Sequence, residues 1–200
     1  MREGLEFNDT FAPVVKPTTL RALFALAAKL RCSLKAGDVE TAFLTANMDG
    51  EVWVKMPTYW GRGDGPITGV QQQIPPRRLL KGVPGIPQGS RLFYDTFAEH
   101  LSSMGWKPSA ADKCLFLHGG IPESAAVALW VDDFIFMHEK EQTWTNFIQQ
   151  VCKRFNVPVF GPLTTFLGMT ITYSAPTRRM TIVQTNTIKT LLERADMTDC

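Results

Sequence analysis

Several features that mark common classes of protein are missing from this 200-residue sequence. No apolar run exceeds seven residues, the length of the stretch 125–131, whereas roughly 20 apolar residues are needed to cross a bilayer, so we expect no transmembrane helix and no membrane partner. The first residues carry an acid early and lack the apolar region of a signal peptide, so we do not expect secretion. Charge of one sign is also missing, because the net charge of +2 is too small to indicate a nucleic-acid partner by itself.

Cysteine is scarce and scattered. Cys32, Cys114, Cys152 and Cys200 form no C-x-x-C pair, and the three histidines lack the H-E-x-x-H spacing. These spacings argue against a zinc site, and in an intracellular protein they indicate reduced, mostly buried thiols.

The composition that is present is that of a globular domain. Hydrophobic residues make up 44% and charged residues 20%, which excludes a disordered chain, a collagen-like fibre and a coiled coil. Helical periodicity alternates with strand-like runs and no dinucleotide-binding fingerprint occurs, which predicts an α+β fold with an antiparallel sheet backed by helices. The predicted helices are 18–31, 40–46, 90–105, 139–155 and 187–195; the predicted strands are 33–38, 51–56, 77–81, 115–118, 125–131, 134–137, 157–160, 166–172 and 180–183; residues 57–76 and 82–89 are predicted loops.

Carboxylates lie at the ends of strongly apolar strands. Asp38 closes the strand 33–38, and Asp132 and Asp133 separate two apolar runs, a pattern typical of a β-hairpin. On adjacent strands of one sheet these acids would converge and could hold two Mg²⁺ ions, roughly 3.5–4 Å apart, for phosphoryl displacement. The plainer interpretation is an ordinary Asp-Asp turn and an Asp38 that caps the next helix. The carboxylates alone leave both interpretations open.

Six stretches, taken in order along the chain, resemble the motifs of the reverse transcriptase of copia-type long-terminal-repeat retrotransposons. They are DTFAPVV at 9–15, AGDVETAFL at 36–44, LLKGVPGIPQGSR at 79–91 followed by Phe93-Tyr94, DKCLF at 112–116, LWVDDF at 129–134 and FLGMTI at 166–171. Each match alone is weak, but six in family order identify the chain as a member of this family. The family's Tyr before Val-Asp-Asp is replaced by Trp130, the Tyr of its L-Y-G-L block by Pro84, and its Trp by Phe93; none of these departures removes a carboxylate.

The resemblance implies the fingers and palm of a right-hand polymerase. Residues 1–110 would mix fingers and palm, 111–175 would form the palm with the Asp-Asp hairpin, and 176–200 would end the palm and begin the connection. Asp38 and Asp132 would be catalytic residues that bind two Mg²⁺ ions, with Mn²⁺ as a substitute. Asp133 would be the third acid and metal ligand.

The same resemblance implies contacts with the substrates. Phe43 would be a steric gate under the sugar, while Gln88, Gly89 and the backbone of Val39 would contact the incoming nucleotide. The plainer alternatives are a core phenylalanine and a simple Pro-Gln-Gly turn. A further set would contact nucleic acid, although a solvated basic rim is the plainer interpretation of its charged members: Arg77, Arg78, Lys81, Arg91 and Trp130.

Three functions are compared. The first is an RNA-directed DNA polymerase that uses an RNA or DNA template with a primer and deoxynucleoside triphosphates. Its further partners would be the integrase and RNase H of its polyprotein, in a cytoplasmic virus-like particle. The second is an inactive remnant that folds and at most binds nucleic acid. The third, a nucleotidyl cyclase with a palm-like sheet, is disfavoured by the Pro-Gln-Gly loop and the DKCLF stretch.

Overall fold

A computed structural model of the chain describes residues 11–56, 75–119 and 125–197. These residues form two compact units, one built on residues 11–12, 42–56 and 75–96 and the other on 13–41, 97–119 and 125–197. The helices are α1 (Pro17–Leu30), α2 (Ala42–Thr45), α3 (Gly89–Ser103), α4 (Glu141–Val151) and α5 (Thr185–Arg194). The strands are β1 (Ser33–Asp38), β2 (Trp53–Val54), β3 (Arg77–Arg78), β4 (Lys107–Pro108), β5 (Leu115–His118), β6 (Ala125–Trp130), β7 (Asp133–His138), β8 (Val159–Pro162), β9 (Thr165–Phe166), β10 (Met169–Ser174) and β11 (Arg179–Val183).

The larger unit is built on a six-stranded sheet in the order β4-β5-β6-β7-β1-β8. Every pair of neighbouring strands in it is antiparallel. Strands β6 and β7 form the predicted hairpin, and β1 pairs with β7 along its whole length, from Ser33 opposite His138 to Asp38 opposite Asp133. The prediction of an α+β fold with an antiparallel sheet and helices is therefore confirmed.

The core of this unit lies around the hairpin. Residues 125–129 and 134–138 are all buried, so both faces of these two strands are covered. The Phe136 ring packs against two aromatic rings of α4, with its centroid 4.4 Å from that of Phe147 and 5.2 Å from that of Trp144. Helix α4 forms because its apolar residues recur at helical spacing and bury Trp144, Phe147 and Val151.

A second, three-stranded sheet in the order β11-β10-β9 belongs to the same unit. The Tyr173 hydroxyl on β10 lies 2.8 Å from the carbonyl oxygen of Cys32 and 3.0 Å from that of Ala27, and donates to this pair of acceptors. The Ala27 carbonyl belongs to the last turn of α1 and also accepts from the N–H groups of Arg31 and Cys32, which follow the helix. Tyr173 therefore ties β10 to the end of α1.

The smaller unit contains a narrow antiparallel ribbon. Strand β2 pairs with β3 through Trp53 opposite Arg78 and Val54 opposite Arg77. The Leu79 N–H donates to the Val52 carbonyl at 2.8 Å and extends the pairing by one step. The predicted strands 51–56 and 77–81 are therefore present but shorter.

Several predicted elements differ in their bounds. The predicted helix 139–155 is only Glu141–Val151, and the predicted helix 40–46 is the single turn Ala42–Thr45. The predicted strand 166–172 is wrong, because Leu167 and Gly168 adopt φ values of 49° and 75° and reverse the chain between β9 and β10. Strand β4 was not predicted, since two residues carry too little pattern. Residues 57–74 of the predicted loop lie outside the described residues.

The cysteines agree only in part with the prediction of reduced, buried thiols. Cys32, Cys114 and Cys152 are free thiols, and Cys32 and Cys114 are buried as predicted. Cys152 is exposed, which corrects its predicted burial, because it follows the last turn of α4 rather than lying inside a longer helix. Cys200 lies outside the described residues. No helix in the described part of the chain combines the length and the apolar character that a membrane span requires.

Candidate active site

The structure brings the three predicted acids together at one end of the sheet. Asp38 ends β1 directly opposite Asp133, which begins β7. Directly opposed residues of an antiparallel pair have Cα atoms about 4.5–5.5 Å apart. The N–H of Val39 donates to the carbonyl of Asp132 at 3.0 Å and fixes the tip of the hairpin against the end of β1. We call Asp38, Asp132 and Asp133 the acid cluster.

The turn that presents the cluster lies one residue earlier than predicted. Trp130 pairs with Asp133, so the two turn residues are Val131 and Asp132, and Asp133 already belongs to β7. Val131 has a φ of 52°, in the left-handed region that a β-branched residue rarely adopts. Backbone strain of this kind persists where the surrounding structure enforces it, and it is concentrated at functional sites.

The electrostatics of the cluster are those of crowded like charges. Burial, followed by the negative charges of Asp38 and Asp132, raises the pKa of Asp133 to about 6. Burial, followed by the charges of Asp132 and Glu40, also raises the pKa of Asp38. Carboxylates held this close disfavour one another's ionised form, and a bound cation would relieve the repulsion.

The donor set fits a hard divalent cation. All three side chains offer carboxylate oxygens, which suit Mg²⁺ or Mn²⁺ better than zinc. Among residues 11–56, 75–119 and 125–197, however, no three His, Cys, Asp or Glu side chains converge closely enough to hold a metal ion. The acids are therefore neighbours rather than a finished metal cage, and their side chains would have to turn toward a common point to chelate an ion.

Two supporting features of the cluster were not predicted from the sequence. The Phe134 ring covers Gly37, opposite which it lies in the β1–β7 pair, and a side chain at position 37 would collide with it. Asn156 accepts from the Glu40 N–H through its carbonyl at 2.9 Å and donates from its side chain to the Glu40 carboxylate at 2.6 Å. These contacts fix the chain on both sides of Asp38. The Gly in AGDVE was a visible signal, but nothing in the sequence pairs residue 40 with residue 156.

The smaller unit contains Phe43, Gln88 and Gly89, three of the four residues predicted to contact the nucleotide. Phe43 is half-buried rather than part of the core, and a side chain on Gly89 would lie 3.4 Å from its ring. Gly82 approaches still closer, because a Cβ there would lie 2.7 Å from the Phe43 carbonyl oxygen. Gln88 is 2% exposed, and its Oε1 finds no hydrogen-bond partner among the described residues. A buried acceptor of this kind is costly unless a ligand or a water satisfies it.

The residues predicted to contact nucleic acid are less uniform. Arg77, Arg78 and Lys81 are exposed on β3 and just after it, and Arg78 forms an ion pair of 3.2 Å with Glu51. Arg91 is paired with both Asp49 and Asp95. Those acids already neutralise its charge, which distinguishes Arg91 from the exposed Arg77 and Lys81.

Two further predicted residues belong to the larger unit. Trp130 is half-buried beside the hairpin tip. Val39 is 1% exposed, and its N–H is already bonded to Asp132. The carbonyl oxygen is therefore the main-chain group of Val39 that could contact a metal or the nucleotide.

Comparison with known proteins identifies the class. The family described as "Reverse transcriptase (RNA-dependent DNA polymerase)" matches residues 1–200, and the chain belongs to that family. This confirms the resemblance drawn from the six motifs. No solved structure matches the chain.

The relatives that match are transposon proteins. "Retrovirus-related Pol polyprotein from transposon TNT 1-94" of Nicotiana tabacum is 26% identical over 197 residues, which are 98% of this chain and 14% of the relative. "Retrovirus-related Pol polyprotein from transposon RE1" of Arabidopsis thaliana is 26% identical over 168 residues, 84% of this chain and 11% of the relative. "Putative transposon Ty5-1 protein YCL074W" of Saccharomyces cerevisiae is 24% identical over 140 residues, 69% of this chain and 42% of the relative. The chain thus spans a small part of the plant polyproteins.

Proposed function

We propose that the chain is the palm-centred part of an RNA-directed DNA polymerase of a copia-type retrotransposon. The primer 3′-hydroxyl attacks the α-phosphate of a template-paired deoxynucleoside triphosphate, a new phosphodiester bond forms, and pyrophosphate leaves. The observation that carries the proposal is the β1–β7 register, which puts Asp38 opposite Asp133 at the hairpin that also bears Asp132. Family membership supports it independently.

The acid cluster is the proposed metal site. Reverse transcriptases as a family depend on divalent metal, and Asp38 and Asp132 would hold two Mg²⁺ ions with Asp133 as a less direct ligand. Bound there, the ions would supply stabilisation of negative charge on the attacking and leaving oxygens. The protein's own contribution is to hold the carboxylates in place, through the Val39–Asp132 hydrogen bond and the two contacts between Glu40 and Asn156.

The nucleotide contacts are proposed for the Phe43 region. A ring at the position of Phe43 would overlap a 2′-hydroxyl and so select deoxynucleotides. Gly82 lets the chain approach the Phe43 carbonyl oxygen closely and Gly89 lies against the Phe43 ring, so both glycines help to fix the position of that ring, which supports the proposal. The unpartnered Oε1 of Gln88 would accept a hydrogen bond from a donor on the nucleotide.

The remaining assignments follow from the family and the polyprotein relatives. We propose a primed RNA or DNA template as substrate, with Arg77, Arg78, Lys81, Arg91 and Trp130 near the nucleic acid. We further propose a polymerase palm spanning 111–175, with mixed fingers and palm before it and the start of the connection at 176–200. Integrase and RNase H of the polyprotein would be partners, in a cytoplasmic virus-like particle.

The test is primer extension on poly(rA)/oligo(dT) with Mg²⁺. We expect Asp132→Asn to lower the rate of extension by about a hundredfold or more, because it removes a group that stabilises the transition state. Asp196→Asn changes the same residue type at the end of α5, outside the cluster, and should keep the wild-type rate. Equal rates for wild type and Asp132→Asn would refute the role of the cluster, provided that both variants unfold at the same temperature.

A second function is favoured by one observation. The described residues hold no finished metal cage, which suits a folded remnant that binds nucleic acid without catalysis. In that case neither wild type nor Asp132→Asn extends a primer at any Mg²⁺ or Mn²⁺ concentration.

A further inference from the structure

The β2–β3 ribbon carries a face that the proposed mechanism does not use. Trp53 is 60% exposed although the next residue back, Val52, is buried. Leu80, just after β3, is 73% exposed. Large apolar side chains exposed to this extent at both strands of one small ribbon are typical of an interaction surface.

The register places Trp53 and a basic side chain together. Trp53 and Arg78 are directly opposed in the antiparallel pair, so their side chains leave the ribbon on the same face. Lys55 and Leu80 are exposed two residues beyond Trp53 and Arg78, just outside β2 and β3, and they flank this pair at opposite ends of the ribbon. We call Trp53, Lys55, Arg78 and Leu80 the ribbon face.

The charges around the ribbon face are complementary to phosphate. Arg77 and Lys81 lie beside it, so the residues 51–55 and 75–81 carry four basic side chains and one acid, Glu51. Glu51 is paired with Arg78 at 3.2 Å, and both partners stay about half exposed or more, at 49% and 66%. An exposed indole within a basic surface is the arrangement that binds single-stranded nucleic acid, since the ring stacks on a base while the cations contact the backbone.

We propose that the ribbon face binds unpaired nucleotides, with Trp53 as the stacking platform for a base and Lys55 and Arg78 as its phosphate contacts. Stacking on Trp53 requires a free base face, which a duplex does not offer. The occupant is therefore single-stranded, and that this strand is the uncopied template rests on the proposed polymerase function. Trp53 and Lys55 are new to the site, since neither belongs to the residues assigned above.

The experiment measures binding rather than catalysis. A fluorescein-labelled DNA hairpin with a 5′ extension of about eight unpaired nucleotides is compared with a blunt hairpin of the same duplex, by anisotropy in EDTA with the full chain. Wild type, Trp53→Ala, Trp53→Phe and Leu191→Ala are measured. Leu191 is the matched control, because it is exposed to a similar extent, 58%, on α5.

We expect Trp53→Ala to weaken binding of the extended hairpin roughly tenfold and binding of the blunt hairpin less than about twofold. Trp53→Phe keeps a ring and should stay within about threefold of wild type for both probes. Leu191→Ala should match wild type.

Four results would overturn the proposal. Three of them concern binding: unchanged binding by Trp53→Ala, an equal loss of binding on both probes, and no binding of either probe by wild type. The fourth is an oligomeric wild type that becomes monomeric when Trp53 is replaced by Ala, which would make the face a protein contact. Primer extension separates this proposal from the polymerase: Trp53-dependent binding without extension would refute only the polymerase function. Extension without Trp53-dependent binding would refute only the role of the ribbon face.

Discussion

Two aspartates of the larger unit, Asp112 and Asp133, occupy opposite environments. Asp112 accepts from the Lys16 N–H at 2.9 Å, the Thr19 hydroxyl at 2.6 Å and the Cys114 N–H at 3.0 Å. Burial alone would raise the pKa of Asp112, but these donors outweigh it and the pKa lies below its ordinary value. The neighbours of Asp133 are other acids, and its pKa is raised to about 6.

Asp112 is a carboxylate whose ionised form stabilises the fold, whereas the ionised form of Asp133 destabilises it. Asp112 connects the start of α1 to the segment before β5, and every contact it makes favours its ionised form. Burial opposes the ionisation of Asp133, as do the charges of Asp38 and Asp132, and within residues 11–56, 75–119 and 125–197 no hydrogen-bond donor offsets them. A site that costs stability without a ligand is expected where a ligand is meant to bind.

The largest effect is expected for Asp112→Ala. The substitution leaves two backbone N–H groups and one hydroxyl without their buried acceptor, which should lower the free energy of unfolding by about 3 kcal/mol. Urea denaturation measures it, with Asp196→Asn as an exposed control that should change stability by less than about 0.5 kcal/mol, because asparagine also tolerates the left-handed φ of 55° at that position. A loss for Asp112→Ala no larger than for the control would contradict the structural role.

The opposite sign is expected for Asp133→Asn without divalent cation. The folded-state pKa of Asp133, about 6, is above the ordinary value of 3.8, so the folded state binds the extra proton and stability falls as pH rises through that window. Asp133→Asn should remove this slope and stabilise the protein at pH 7 by about 1 kcal/mol, after allowance for solvent screening.

Asp112 provides the internal contrast. Its folded-state pKa is depressed, so its contribution is complete above the unfolded value and is lost as pH falls through the folded one. Wild type should therefore lose the contribution of Asp112 in acid while it gains that of Asp133 between pH 6 and about 4. Thermal melts at several pH values measure the slope of stability against pH. If Asp133→Asn keeps the wild-type slope above pH 4, the assignment of that slope to Asp133 is wrong.

Magnesium should stabilise the protein through the acid cluster and not through the exposed Asp196. Above pH 6, where Asp133 is mostly ionised, Mg²⁺ at several times its dissociation constant should raise the melting temperature of wild type by about 3 °C, or about 1 kcal/mol. Asp38→Asn should lose most of this shift, whereas Asp196→Asn should keep it. A shift of the same size in all three proteins would mean that the ion binds elsewhere.

The sequence predicted the hairpin that bears the acids better than it predicted the contacts around them. Long apolar runs on both sides of Asp132 and Asp133 predicted the β6–β7 hairpin, and the adjacency of Asp38 to it is confirmed by the register. The turn was placed one residue late, because Asp-Asp has the chemistry of a turn and Val131 does not. Only the pairing of Trp130 with Asp133 places Val131 in the turn.

Contacts between distant parts of the chain could not be predicted. Asn156 holds Glu40 across 116 residues, and Asp112 holds Thr19 across 93, and polar residues of these types give no periodic signal. The predicted strand 166–172 was wrong for a related reason. Its alternating pattern is real, but Leu167 and Gly168 turn the chain within it.

The smallest effect is expected for Val131→Gly, which tests whether the strained tip belongs to the site. The φ of 52° costs a β-branched residue about 1–3 kcal/mol, and glycine adopts it freely. Glycine also gains about 0.5–1 kcal/mol of freedom in the unfolded chain, so the net gain in stability should be only about 0.5–1 kcal/mol. If the strain serves to hold Asp132 and Asp133 in place, the stabilised variant should extend primers more slowly than wild type, as measured side by side with its urea midpoint. A variant that is both more stable and equally fast would show that Val131 carries strain without a function, and the acid cluster would then depend on the β1–β7 register alone.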